Sequence, residues 1–179
     1  MKEWSLIIGY MGTLAAVVSY QMNKRQWILI LQCVANALVA ASYLLQEGAK
    51  LSGALICLIA AVHTVVNYGL DRKGKKPPIP VTLLFGLAYT GATVWTMWQS
   101  GHFSVTELLP WICALLFVAA ITLPRESDSR KCFFFNAVLW IVYDVMGTLS
   151  MANLITHICV LVSVVVGIFR LDIQKKGQS

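Results

Sequence analysis

Charged side chains are scarce in this chain. Asp, Glu, Lys and Arg supply 12% of its 179 residues, against roughly 25% in a soluble domain. So few charges cannot cover a water-facing surface, which excludes a soluble globular protein. Catalytic signatures are missing as well: there is no nucleophile elbow, no HExxH and no P-loop. Without a Walker motif, pumping driven directly by ATP within this chain is excluded, and nothing supports a membrane enzyme. The five cysteines (Cys33, Cys57, Cys113, Cys132, Cys159) show no CxxC spacing and mostly lie inside apolar stretches. They read as soft packing residues rather than a metal or redox centre, and no cofactor is expected. The net charge of +6 raises nucleic acid as a partner. The basic residues are scattered between apolar runs with no nucleic-acid motif beside them, so that partner is not expected.

Apolar side chains fill the chain instead: 58% of residues, with a mean hydropathy of +0.72. They form runs near 4–22, 26–46, 50–70, 79–99, 107–123, 132–149 and 151–171. Each approaches the ~20 residues that carry a helix across a ~30 Å hydrocarbon core. The opening MKEWSLIIGYMG lacks the basic start and cleavage site of a signal peptide and reads as part of the first helix. The expected fold is therefore an all-α integral membrane protein with seven transmembrane helices.

Charge asymmetry favours seven spans over six. With seven, twelve of the fourteen basic residues fall on one side, leaving only Lys2 and Lys50 opposite. The positive-inside rule then puts the N-terminus outside and the C-terminus in the cytoplasm. Trp4, Trp95, Trp98 and Trp111 fall near outer ends and Trp27 near an inner end, as an interfacial aromatic belt requires. Trp140 alone lies deep inside a span.

Sliding the chain by 100 residues pairs Asn36 with Asn136, Ala37 with Ala137 and Tyr43 with Tyr143, and lays spans one to three on spans five to seven. This predicts two parallel three-helix bundles joined by a linker helix, a known transporter plan. Residues 1–72 form the first repeat, 73–100 a cytoplasmic linker with the linker helix, and 101–179 the second repeat with a cytoplasmic tail. KGKKPPIP, residues 73–80, is stiffened by three prolines. One mismatch stands out: the last basic residue lies eleven positions before Asn36 but five before Asn136.

Helical spacing gathers the polar residues into stripes. Gln32, Asn36, Ala40 and Tyr43 share a face of span two; Asn136, Trp140, Tyr143, Asp144 and Gly147 share one on span six. His63 and Asn67 lie one turn apart on span three, and span seven carries Asn153, Thr156, His157, Ser163 and Gly167. Such stripes line a cavity or simply pack helices through hydrogen bonds of ~0.6–2 kcal/mol each. Asp144 points to more than packing. A carboxylate facing lipid there costs ~2.5–3.5 kcal/mol even on a lenient insertion scale, so it must face protein or a wet cavity. Trp140, one turn away, offers a flat apolar face and one N–H donor. Stacking beside Asn, Tyr and Asp suits a ring-bearing or hydroxylated solute.

In NKRQ, LLQEGAKLSGAL, ELLPW, the W-x-x-Y-D group at Trp140 to Asp144 and the final GIFRLD, the sequence resembles the YgjV-type bacterial inner-membrane proteins. The likeness covers nearly the whole chain. Its three-plus-one-plus-three plan is similar to that of SWEET sugar transporters and PnuC-type vitamin transporters. That resemblance implies a multi-pass protein of the bacterial inner membrane that moves a small uncharged solute (sugar-, nucleoside- or vitamin-like) by alternating access. SWEET proteins hinge each repeat on a proline in its first helix; Pro110 fits in the second repeat, whereas the first offers Gly9 and Gly12.

The expected partners are the lipid bilayer and a small-molecule solute, with the chain a monomer or homo-oligomer. The expected solute site is formed by Asn136, Trp140, Tyr143 and Asp144, opposed by Asn36, Tyr43, His63 and Asn67, with Asn153 and His157 from span seven. The alternative is a non-transporting membrane sensor or interaction partner whose polar seams only pack.

Overall fold

The computed structural model describes residues 2–45, 51–100, 108–146 and 151–173, with side chains at 3–45, 54–99, 108–146 and 154–173. Among them the regular structure is entirely helical: α1 (Lys2–Ser19), α2 (Arg25–Leu45), α3 (Leu51–Arg72), α4 (Ile79–Ser100), α5 (Leu108–Thr122), α6 (Glu126–Met146) and α7 (Met151–Gly167). A π-helical segment, Ile168–Ile173, continues α7. Helices dominate because a chain in hydrocarbon must satisfy its backbone hydrogen bonds within each segment.

Four stretches are long and apolar enough to cross a membrane by length and composition: Arg25–Leu45, Ala54–Arg72, Ile79–Gln99 and Leu154–Ile173. Glu3–Ser19 and Leu108–Thr122 are apolar but shorter. The sixth helix departs most from the sequence expectation. It begins at Glu126, not at 132, because its first turns carry Glu126, Asp128, Arg130 and Lys131. Those turns remain helical since Arg130 is buried in an ion pair and Ser129 Oγ donates to the Ala120 carbonyl. The two helix starts nearly coincide in the 100-residue register, Asn36 standing eleven residues from the start of α2 and Asn136 ten from the start of α6, while the last basic residue still lies five before Asn136.

Helix packing orders the bundle as a ring. α2 packs against both α1 and α3, and α6 against both α5 and α7; α1 meets α7, and α3 meets α5. α4 packs against α3 and α5. Trp4, Trp27, Trp95 and Trp98 are exposed on this surface, as are many Leu, Ile and Val side chains. Such a coat is stable only in lipid. Trp111 instead turns inward and donates from Nε1 to Thr90 Oγ1 on α4 at 3.0 Å.

Small residues set the closest approaches. A Cβ on Gly12 would lie 2.9 Å from Val39 Cγ2 on α2, and one on Gly9 would meet Ser42 Oγ at 3.0 Å. Both glycines of the first helix thus serve the α1/α2 contact. At Gly167 an added Cβ would sit 2.5 Å from the Tyr20 carbonyl oxygen, a backbone atom that cannot swing aside. Gly167→Ala is expected to lower stability by about 1–3 kcal/mol through overpacking. Gly69→Ala, whose Cβ meets nothing within 4 Å, should be near neutral. Thermal unfolding of the two variants in detergent, showing equal melting points, would contradict this packing.

Candidate functional site

A cavity of about 190 Å³ lies in the middle of the ring, and every one of the seven helices contributes to its wall. Residues 100 apart face it together as Thr13 and Cys113, Asn36 and Asn136, Ile56 and Thr156, Cys57 and His157, Ala60 and Val160. Pro110 lines it from the first turn of α5, where a missing N–H disturbs no helical bond.

One wall is aromatic and ionisable. The Trp140 indole stacks on the His157 imidazole, with ring centroids 5.2 Å apart and planes 12° from parallel. His157 Nδ1 lies 2.6 Å from Asp144 Oδ2. Asp144 is buried, with 3% exposure, so its carboxylate faces protein as its membrane depth demands. The result is a supported surface: Asp144 orients His157, and His157 backs the face of Trp140. Tyr143 meets Trp140 edge-on at 5.6 Å and lies outside the lining. Tyr43 does not line the cavity.

Amides face the cavity from two helices, Asn36 from α2 and Asn136 from α6, one turn from Trp140. Asn36 Nδ2 donates to the Gln32 carbonyl on its own helix at 2.7 Å. Asn136 Nδ2 donates instead to the Cys113 carbonyl on α5 at 2.6 Å. Gln32 also lines the cavity, and its Nε2 donates to Ser19 Oγ at 2.7 Å.

Of the residues expected at the site, Asn36, Asn136, Trp140 and His157 line the cavity, Asp144 and Tyr143 contact its wall from behind, and Tyr43 lies outside the lining. His63 and Asn67 turn elsewhere. The His63 ring stacks on Phe85 of α4 with centroids 4.0 Å apart, and both its nitrogens are buried without a partner. Asn67 sits at the basic end of α3. The side chain of Asn153 lies outside the described residues. Spacing on one helix could not separate these cases, because α4 competes with the cavity for a face of α3.

Below the cavity, toward the basic ends of the helices, Tyr20, Phe117 and Phe133 form a floor. Tyr20 and Phe133 meet edge-on at 5.0 Å, and Phe117 and Phe133 at 6.0 Å. Leu29, Ala120, Ile121 and Val164 complete this apolar plug.

Two arginine clamps lie beyond it. At the start of α2, Arg25 Nε pairs with Asp71 Oδ1 near the end of α3 at 3.2 Å, and its guanidinium donates to the Ile121 and Leu123 carbonyls at the end of α5. Near the start of α6, Arg130 grips Asp172 after α7 through Nε to Oδ2 at 3.0 Å and Nη2 to Oδ1 at 2.5 Å. Its Nη1 donates to the Met22 carbonyl just after α1 at 3.2 Å. Each arginine thus joins the third helix of its own half to the end of the first helix of the other half. Sequence reasoning counted these arginines only toward orientation. The available signal was the matched pair of aspartates, Asp71 and Asp172, 101 residues apart.

Apolar helices around a central cavity, with a buried carboxylate paired to an imidazole, define a polytopic membrane protein. The chain belongs to the Imp-YgjV family of bacterial inner membrane proteins, whose family model matches residues 3–175. The bacterial inner membrane is accordingly its location. No curated protein and no solved structure matches it.

Proposed function

We propose that this chain is a SWEET-like transporter that moves a small uncharged solute by alternating access between two parallel three-helix repeats. One observation carries the reading: a central cavity lined in repeat-related pairs, floored by aromatic rings and closed at one end by two matching clamps. The plan assigns α1–α3 to one repeat, α5–α7 to the other and α4 to the linker, and contacts α1–α7 and α3–α5 are related by the same exchange. Positive-inside orientation makes the clamped, basic end cytoplasmic and leaves the N-terminus outside. Because all the walls come from one chain, a monomer completes the path.

The chemistry of the wall narrows the solute. Trp140 over His157 offers a flat surface for a sugar or heterocycle ring. The amides of Asn36 and Asn136 suit hydroxyl or carbonyl groups. Among the described residues no Asp, Glu, Lys or Arg lines the cavity, so a strongly ionic solute is disfavoured. We assign no catalytic step to the Asp144–His157 pair; its carboxylate holds the imidazole in place.

The test is uptake into liposomes across a panel of sugars, nucleosides and vitamins. Saturable flux that Trp140→Ala lowers supports the proposal; the absence of saturable flux for the whole panel counts against it. The sensor reading draws on hydrogen-bonded seams between helices, such as Ser5 with Ser42 and Gln32 with Ser19. Failure of the uptake panel would favour it.

A further inference from the structure

A second cavity, of about 140 Å³, opens at the basic end between α3, the loop after it and the end of α5. Three polar atoms of residues in its wall are buried without a partner: both amide atoms of Asn67 and the hydroxyl of Thr122. Asn67 is 1% exposed. Leaving such groups unpaired costs about 1–3 kcal/mol each, so the arrangement is poor as packing and suited to a polar guest.

The charge beside them is positive. Arg25 and Asp71 also border the cavity but neutralise one another in the clamp. Lys75 and Lys76 remain, exposed and in no ion pair among the described residues. The backbone puts them there. Gly74, at φ 65°, ends α3 in a Schellman turn, with the Lys75 N–H donating to the Leu70 carbonyl at 3.0 Å and the Gly74 N–H to the Asp71 carbonyl at 2.9 Å. That turn sets the two lysines along the same cavity as Asn67 and Thr122.

We propose that this cavity is a phosphate-binding site. Two ammonium groups, an amide N–H and a hydroxyl supply donors from several directions to one oxyanion. The remaining Asn67 Oδ1 accepts from a lysine or from a protonated phosphate oxygen. The guest is the phosphate of either a lipid headgroup or a free phosphoester, since the recognition chemistry is the same. The site belongs to the first half alone. The repeat position of Asn67 is Gly167, where the Tyr20 carbonyl fills the space. The proposal stands independently of transport.

The experiment uses the purified full chain, with inorganic phosphate added in detergent and with nanodiscs of phosphatidylglycerol against phosphatidylcholine. Phosphate is expected to raise the melting temperature, and native mass spectrometry is expected to retain a phosphatidylglycerol molecule. A response in either arm supports the site and identifies its source. The double variant Lys75→Gln/Lys76→Gln should weaken binding about tenfold or more, whereas Lys73→Gln, outside the cavity, should not. Asn67→Leu should melt at or above the wild-type temperature without ligand, having lost its orphan groups, yet lose the response to phosphate. Lack of binding in both arms, or unchanged binding in both the lysine and Asn67 variants, overturns the proposal.

Discussion

Arg130→Ala is expected to lower stability by about 3 kcal/mol, because it breaks a buried pair and strands a charge. The Arg130 side chain is 5% exposed and Asp172 11%, so little water reaches the carboxylate once its partner is gone. The Met22 carbonyl loses its donor as well. The neighbouring Lys131 provides the contrast. Its bond to Asp128 lies at the surface, with the lysine 61% exposed, so Lys131→Ala should shift stability by no more than about 0.5 kcal/mol. Replacing both members, as Arg130→Met with Asp172→Leu, should recover most of the loss, since no stranded charge remains. Thermal unfolding in one detergent ranks the three variants; equal losses for Arg130→Ala and Lys131→Ala would refute the clamp. In the transport reading the double variant also separates stability from gating: it should fold well yet let the basic end open more readily.

In the transport reading, Trp140→Ala is expected to abolish saturable flux, or reduce it by about tenfold or more, while leaving the fold intact. The indole forms a cavity wall and one member of a stack, so truncation removes a binding surface and exposes the His157 ring. Trp140→Phe should restore part of the flux, because it keeps a flat face but loses the N–H. Asp144→Asn probes the layer behind. It keeps the shape but removes the charge that orients His157 from 2.6 Å. If the Asp144–His157 pair also carries a proton through the cycle, uptake driven by a pH gradient should become indifferent to that gradient in Asp144→Asn. Uptake assays with and without the gradient read both effects. Wild-type flux in Trp140→Ala would rule out a solute seat on this wall.

The two expectations differ in how far the chain itself reveals them. Trp140 and Asp144 stood out because a deep indole and a carboxylate are conspicuous in an apolar run. Their link through His157, thirteen residues beyond Asp144 and on another helix, was not visible. His63 and Asn67 show the opposite case. Their spacing marks a polar face correctly, yet His63 is covered by Phe85 and Asn67 is buried at the basic end. The arginine clamps escaped notice because loop arginines in membrane proteins ordinarily report orientation, and only the folded chain sets Asp71 and Asp172 beside them.

The sequence by itself determined the helical membrane class, the positions of most helices, the echo at 100 residues and the segregation of basic residues to one side. These are local properties: hydrocarbon forces each segment to satisfy its own backbone, so hydropathy within a short window suffices. Only the tertiary structure decided which polar stripe faces the cavity, which faces α4, and that α6 begins before its charged turns. Helix pairing in lipid rests on close contacts at small residues and on interhelical hydrogen bonds of ~0.6–2 kcal/mol each. Several faces of one helix are therefore nearly equivalent in sequence, and the choice among them is made only when all the helices pack together.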